Sequence, residues 1–461
     1  MFSSFTWLTV AAIVVIYFIV SYKSKLPAPL PPGPKPKFFT GNLHQLPKTE
    51  RWVAFKDWSN LYGPIFMYTV FGRKFIVLNS LKVANDLLEG RSNIYSDRAL
   101  FWMYHKIIYR KLLHSGLNAR AVNNYYNVMD QEACTLTENL IATPDDFINH
   151  FRRYAGAVVL HLAYGWTVTG TKDRFVVLTK EAFDLTMEII GTPGKWMVDV
   201  FPFCAPRPKV RFIPSWFPGG SFKRKAEEYK KVLVAVDQIP YDWAKQTINS
   251  GNYIPSFTSQ HLLPEDGHKL DAEEDDILKW CSSALYAGGT DTTVAFMTAF
   301  IAVMTLYPSI QETARREVDQ VIGSRKPLFT DQNFMPYISA LIKEIFRWAP
   351  ITPLDTVTQP RDEDNYPNPE EFNPNRYLGP NPQLDPRKFT FGFGRRVCPG
   401  AVFAEASIFI NVVNILSHFT ISKAIDANGA EIVPKIEFVY KVTSHIKPFP
   451  CSIKPRTDKV F

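Results

Sequence analysis

Apolar positions follow three rhythms along the chain. From Phe5 to Val20 they run without a single charge, and Ser21 and Tyr22 extend the run to about 18 residues, near the lower limit for crossing hydrocarbon. Between Ile65 and Leu78 two β-branched and aromatic runs, IFMYTV and FIVL, flank Phe71-Gly72-Arg73-Lys74, which predicts a hairpin. From about Glu274 to Leu306 there is no proline, and Ile277, Cys281, Leu285, Ala295 and Thr298 anchor an apolar-rich stretch. That pattern predicts one unusually long helix crossing the core.

Start and stop signals fill in the rest. Ser80 predicts the cap of a helix ending near Gly90. Thr143-Pro144-Asp145-Asp146 places a cap, a proline and two acids at the start of a helix running to about Leu162. Ser309, three residues before Glu312, predicts a capping box for a helix that closes near Gly323. Six prolines between Pro27 and Pro36 predict an extended, semi-rigid hinge after the first apolar run. The fold class is therefore mainly α with a minor β region, preceded by one N-terminal membrane helix. The divisions are residues 1–22 as anchor, 23–50 as proline-rich hinge and 51–461 as one large domain.

Composition narrows the class. In 461 residues, 46% are hydrophobic and 21% charged, an ordinary globular balance. The net charge of +8 is too diffuse to imply nucleic-acid binding. Cys134, Cys204, Cys281, Cys398 and Cys451 are odd in number and scattered, which argues against a disulfide framework. Lys23 and Lys25 follow the apolar run and favour a cytosolic side for the rest of the chain. Neither H-E-x-x-H nor G-x-S-x-G occurs, so zinc-peptidase and serine-hydrolase chemistry have no support.

The chemistry concentrates in Phe391-Gly392-Phe393-Gly394-Arg395-Arg396-Val397-Cys398-Pro399-Gly400, ahead of the helix-forming AVFAEASIFINVVNIL. A cysteine before a helix, with two arginines beside it, is placed to carry a lowered thiol pKa. Gly394 and Gly400 permit bends and close approach to a flat ligand. Read as a dinucleotide fingerprint, Gly392-x-Gly394 fails because its last position is Val397. A buried structural cysteine is the other reading. The ten residues match F-x-x-G-x-R-x-C-x-G, and the chain here resembles the haem-thiolate cytochrome P450 monooxygenases, whose fold it is then expected to share. The resemblance implies haem b with Cys398 as the axial thiolate, Arg396 as a propionate partner, Phe391 packed near the sulfur, and Gly394 and Gly400 shaping the loop.

Other segments extend the resemblance. Gly288-Gly289-Thr290-Asp291-Thr292-Thr293 lies in the long helix and is similar to the family's oxygen-side pattern, which gives Thr292 and Asp291 a proton relay. Helix–helix packing is the competing explanation of those glycines. Glu344 and Arg347 stand three apart, and Arg376 follows in FNPNRY, similar to a structural clamp of the family. Two departures stand out. Aligned through RKLLHS, Arg110 takes the place of a propionate-binding arginine, but Lys106 stands where tryptophan belongs. Only 24 residues separate Arg347 from Phe372, where relatives insert strands.

These features imply a membrane-anchored monooxygenase, placed in the endoplasmic reticulum with a cytosolic catalytic domain. It takes O2, a hydrophobic small-molecule substrate and electrons from a separate NADPH-dependent reductase, with secondary-metabolite biosynthesis as the setting. The competing readings are a haem-thiolate isomerase or dehydratase, and a truncated, non-catalytic haem-binding member.

Overall fold

The computed structural model describes residues 29–47, 51–96, 107–190, 216, 222–352, 359–440 and 443–457. The expected anchor helix, Lys106 and Pro353-Leu354 lie outside these residues, as does the side chain of Arg110. Among the described residues ten long helices carry the architecture: α1 Arg51–Tyr62, α2 Ile107–Leu117, α3 Tyr126–Ala142, α4 Phe147–Tyr164, α5 Arg174–Ile190, α6 Phe222–Asn249, α7 Ala272–Leu306, α8 Pro308–Ile322, α9 Pro336–Trp348 and α10 Ala401–His418. The strands form four two-stranded antiparallel ladders. They are β1 Ile65–Val70 with β2 Arg73–Leu78, β3 Phe419–Ser422 with β8 Ser452–Pro455, β4 Ala424–Ile425 with β5 Glu431–Ile432, and β6 Phe438–Tyr440 with β7 Ser444–Ile446.

The first hairpin turns through Phe71 and Gly72, both with positive φ, the mirror-image turn that suits strand twist. Phe71 accepts that conformation while its ring meets Phe39 edge-on at 5.8 Å. Residues 29–36 form neither helix nor strand, and Pro32 accepts a hydrogen bond from Met67 of β1. The described part of the hinge is thus fastened to the sheet.

Helix α7 has 35 residues and packs most extensively on α4. Asp271 caps it in a reciprocal box with Glu274, satisfying two free amides. At Gly289 a Cβ would lie 2.9 Å from Val159 Cγ2, so this glycine lets α7 approach α4. Both α7 and α10 are apolar and long enough to span a bilayer, but 78% and 72% of their apolar windows are buried inside the protein. They are core helices.

Two expected caps form differently. The box at Ser309 does not form: Pro308 opens α8 at its first position, Tyr307 becomes the cap, and Glu312 turns toward Arg316. The fixed φ of proline suits that first position, which places Ser309 inside the helix. Thr143 makes no cap bond either. Its hydroxyl meets His150 at 2.8 Å, and Pro144–Asp146 form a tight turn before α4.

Candidate functional site

Cys398 lies three residues before α10, in a loop closed by its own backbone amide donating to the Phe391 carbonyl at 2.7 Å. Gly394 supplies the sharpest bend, with φ +51, and a Cβ there would come 2.1 Å from the Leu88 carbonyl oxygen. Segment 85–96 therefore presses on the loop, and the Glu89 carboxylate accepts the Gly394 amide at 2.5 Å. Gly394→Ala should cost at least about 1–2 kcal/mol from the left-handed backbone alone, with the clash adding to it. Thermal unfolding of the variant measures this as a lower midpoint.

The free Cys398 thiol does not follow the expected lowering. Its residue keeps solvent-exposed surface, yet enough protein surrounds the sulfur that burial pushes the thiol up. The Gly400 amide alone pulls the other way, by hydrogen bonding to sulfur. The arginines are engaged elsewhere or point outward: Arg396 Nε donates to the Ser96 carbonyl at 3.0 Å, and Arg395 is exposed. Arg110 lies on α2, whose last residue, Leu117, would stand 3.9 Å from a Cβ at Gly400. Helix α2 also packs on α7, so α2, α7 and the start of α10 converge.

Phe391 ties the loop to the rest of the site. Its ring meets Phe346 of α9 edge-on at 5.4 Å, and Phe346 meets Phe296 of α7 at 4.7 Å. An aromatic chain thus runs from the cysteine loop to the long helix.

Along α7 nearly every side chain from Val294 to Thr305 is buried, but Ala284, Ala287 and Gly288 are exposed, with Asp291 and Thr292 half-buried one turn on. These positions share one face. A Cβ at Gly288 would meet nothing within 4 Å, whereas its neighbour Gly289 is packed against α4. One glycine leaves space and the other makes a helix contact, so the two explanations of the motif divide between them. Thr292 and Thr293 turn their hydroxyls back to the carbonyls of Gly288 and Gly289 at 2.8 and 2.7 Å, without interrupting the helix. A cleft of about 310 Å³ opens along the same turns, walled by α5, α7 and the β6–β7 hairpin.

Glu344, Arg347 and Arg376 come together. Glu344 Oε2 accepts from Arg347 Nε at 2.8 Å and Tyr377 Oη at 3.1 Å. Its Oε1 accepts from Arg347 Nη2 at 2.8 Å, the Asn373 amide at 2.8 Å and Arg376 Nε at 3.3 Å. The arginines reach on to carbonyls of residues 360, 367, 368, 369 and 371. Burial, with the Glu344 charge, pushes the Tyr377 phenol far up, so it serves as donor. The cluster packs beside Phe389 and Phe393, at the root of the cysteine loop.

Two partners lay outside the sequence reading. Asp291 Oδ2 accepts from the Thr443 hydroxyl at 2.7 Å and is 2.8 Å from His445 Nε2, across more than 150 residues of chain. No spacing rule links positions so far apart.

The donor set suits a haem: the one fully exposed cysteine among the described residues, in a glycine-bent loop, and a small-residue face of α7 that leaves room for a flat group. The family model described as Cytochrome P450 matches residues 31–360 and 355–445. The two pieces meet inside the short connection between Arg347 and Phe372. Among similar proteins, cytochrome P450 monooxygenase claR of Ampulloclitocybe clavipes is 35% identical, covering 96% of this chain and 90% of its own length. Cytochrome P450 monooxygenase 208 of Postia placenta is 33% identical, covering 97% and 94%. Cytochrome P450 monooxygenase ppsD of Aspergillus oryzae is 33% identical, covering 93% and 89%. With a match over most of its length and relatives at this identity, the chain belongs to the cytochrome P450 family, oxidoreductases that work through a cysteine-ligated haem iron.

Proposed function

We propose that this protein is a membrane-anchored monooxygenase that places one oxygen atom of O2 into a hydrophobic small molecule. The observation that carries the reading is the open face of α7, an otherwise core-buried helix, in a chain whose one fully exposed cysteine among the described residues lies just before α10. Cys398 is the thiolate ligand of haem b. Bound there, the haem supplies O2 activation, and thiolate donation favours O–O cleavage.

The remaining tasks fall to side chains. Phe391 shields the sulfur, and Gly400 donates its amide to it, which tempers the charge. Gly394 and Gly400 shape the loop, while Arg396 and Arg110 hold the propionates. Arg396 would exchange its Ser96 carbonyl for that partner. On the opposite side, the Thr292 hydroxyl passes protons forward and Asp291 feeds it. Glu344, Arg347 and Arg376 form the clamp that fixes the approach to the cysteine loop.

Valine, phenylalanine and isoleucine side chains in the cleft favour an apolar substrate. The short 348–371 connection leaves much of that wall to the β6–β7 hairpin. The exposed Arg395 and Arg396 offer a basic face to a separate NADPH-dependent reductase. Residues 1–22 are the anchor, 23–50 the hinge and 51–461 the catalytic domain, held at the endoplasmic reticulum and facing the cytosol. Secondary-metabolite biosynthesis is the setting in which such chemistry is placed here.

Reconstitution with haem, reductase and isotopically labelled O2 tests the assignment. One labelled oxygen atom per product molecule is expected, read by mass spectrometry with a panel of apolar substrates. Turnover that proceeds without O2 or reductase would identify an isomerase or dehydratase instead.

A further inference from the structure

We infer that His445 is the positioning residue that orients Asp291 and hands it protons from solvent. The inference rests on the role proposed above for Asp291. Its basis is the contact between the β6–β7 hairpin and α7: His445 Nε2 lies 2.8 Å from Asp291 Oδ2, and the Thr443 hydroxyl donates to the same oxygen at 2.7 Å. Thr443 Oγ1 is also 3.2 Å from His445 Nε2. With the only hydroxyl proton directed at the carboxylate, Nε2 must carry a proton to complete the triangle. Two donors converging on one oxygen fix the carboxyl plane and leave Oδ1 to face other partners.

Burial gives the triangle a direction. The Asp291 side chain is 14% exposed and that of His445 31%, so the imidazole is the wetter end of a path leading to the open face of α7. In the step, the imidazolium Nε2–H bond breaks and an O–H bond forms on Asp291 Oδ2. The neutral ring then regains a proton at Nε2 from hydronium or a buffer acid in the solvent, which is left as water or the buffer base. No redox change or further reactant is needed.

The other ionisable groups around the cleft are Arg152 on α4, Lys180 and Asp184 on α5, Tyr286 on α7, and Lys447 next to the hairpin. Lys180 pairs with Asp184 at 2.9 Å and Lys447 with Glu437 at 2.6 Å. Those pairs occupy the nearby carboxylates, which leaves the Asp291 carboxylate as the acceptor opposite His445.

The test uses full-length, haem-loaded protein with His445→Gln and His445→Ala. Glutamine keeps an N–H toward Asp291 but does not titrate. Product formed per NADPH consumed should fall on the order of tenfold in H445Q, with the balance released as peroxide, matching the usual cost of losing an outer partner. The slope of this ratio against pH should differ between the unaltered protein and H445Q, because a glutamine amide cannot pass a proton. Backbone hydrogen exchange over residues 438–446 supplies a readout independent of turnover: H445Q should leave it unchanged and H445A should accelerate it.

Unchanged coupling and an unchanged pH slope in H445Q would overturn the inference. So would equal acceleration of exchange in both variants with parallel loss of substrate affinity, because that marks a docking contact only. Asp291→Asn separates the two layers. If D291N stays tightly coupled, the relay reading of Asp291 fails; if D291N uncouples while H445Q does not, only the role of His445 fails.

Discussion

Cys398→Ser is expected to abolish the thiolate absorption band of the reduced, CO-bound protein and to reduce product formation to background. Serine keeps the shape of the side chain and loses the soft donor, because an alcohol does not ionise at neutral pH and binds iron poorly. The surrounding loop explains why no other atom substitutes. The Gly400 amide bonds to the sulfur, the Cys398 amide closes the loop on Phe391, and neither contact is a metal ligand. Burial disfavours a free thiolate here, whereas coordination deprotonates a thiol outright. Two of the other described cysteines are poor competitors. Cys281 is completely buried within α7 with its thiol pushed up to about 12, and burial pushes Cys451 up to about 12. Serine at either of those positions should leave the band intact. A band that survives C398S would remove the ligand assignment and the function built on it.

The sequence carried some of this geometry and hid the rest for definable reasons. The long helix was legible because thirty-odd residues without proline and with apolar positions on every side leave no other regular solution. The cysteine loop was legible because glycine at Gly394 is demanded by a backbone that no side chain tolerates. Capping was misread where two signals competed. Pro308 and Ser309 both mark a helix start, and the proline won because its fixed φ belongs inside the first turn. The thiol of Cys398 was misjudged because sequence shows neighbouring charges but not enclosure, and enclosure dominates. The link from Asp291 to Thr443 and His445 is tertiary. It depends on a short hairpin, β6–β7, folding back onto α7, and no periodicity announces such a contact.

Glu344→Gln is the substitution expected to cost most in stability, although it changes one atom. Five donors point at the two carboxylate oxygens, two at Oε2 and three at Oε1. An amide has one acceptor and one donor end. Whichever way it is turned, its NH2 faces at least two N–H or O–H groups that have no alternative acceptor in reach at that oxygen. The charge balance fails as well. Glu344 is 0% exposed, Arg347 1% and Arg376 7%, so removing the anion leaves two guanidinium ions inside the protein with only carbonyl dipoles around them. Breaking a buried ion pair by removing one member costs about 3–5 kcal/mol. Against a total stability of about 5–15 kcal/mol, that is enough to empty the folded state in a marginal domain. Arg347→Ala should be milder, because Glu344 keeps Arg376, Tyr377 and the Asn373 amide, and the remaining Glu344–Arg376 pair is neutral. The expected order is therefore wild type, then R347A, then E344Q, in both urea midpoint and haem bound per protein. Since the cluster packs at the root of the cysteine loop, haem occupancy should fall together with stability. A loaded E344Q protein within about 1 kcal/mol of wild type, the range of an ordinary point substitution, would show that the carboxylate charge does not hold the clamp. The reverse order of the two variants would place the essential contacts on the carbonyls that Arg347 reaches instead.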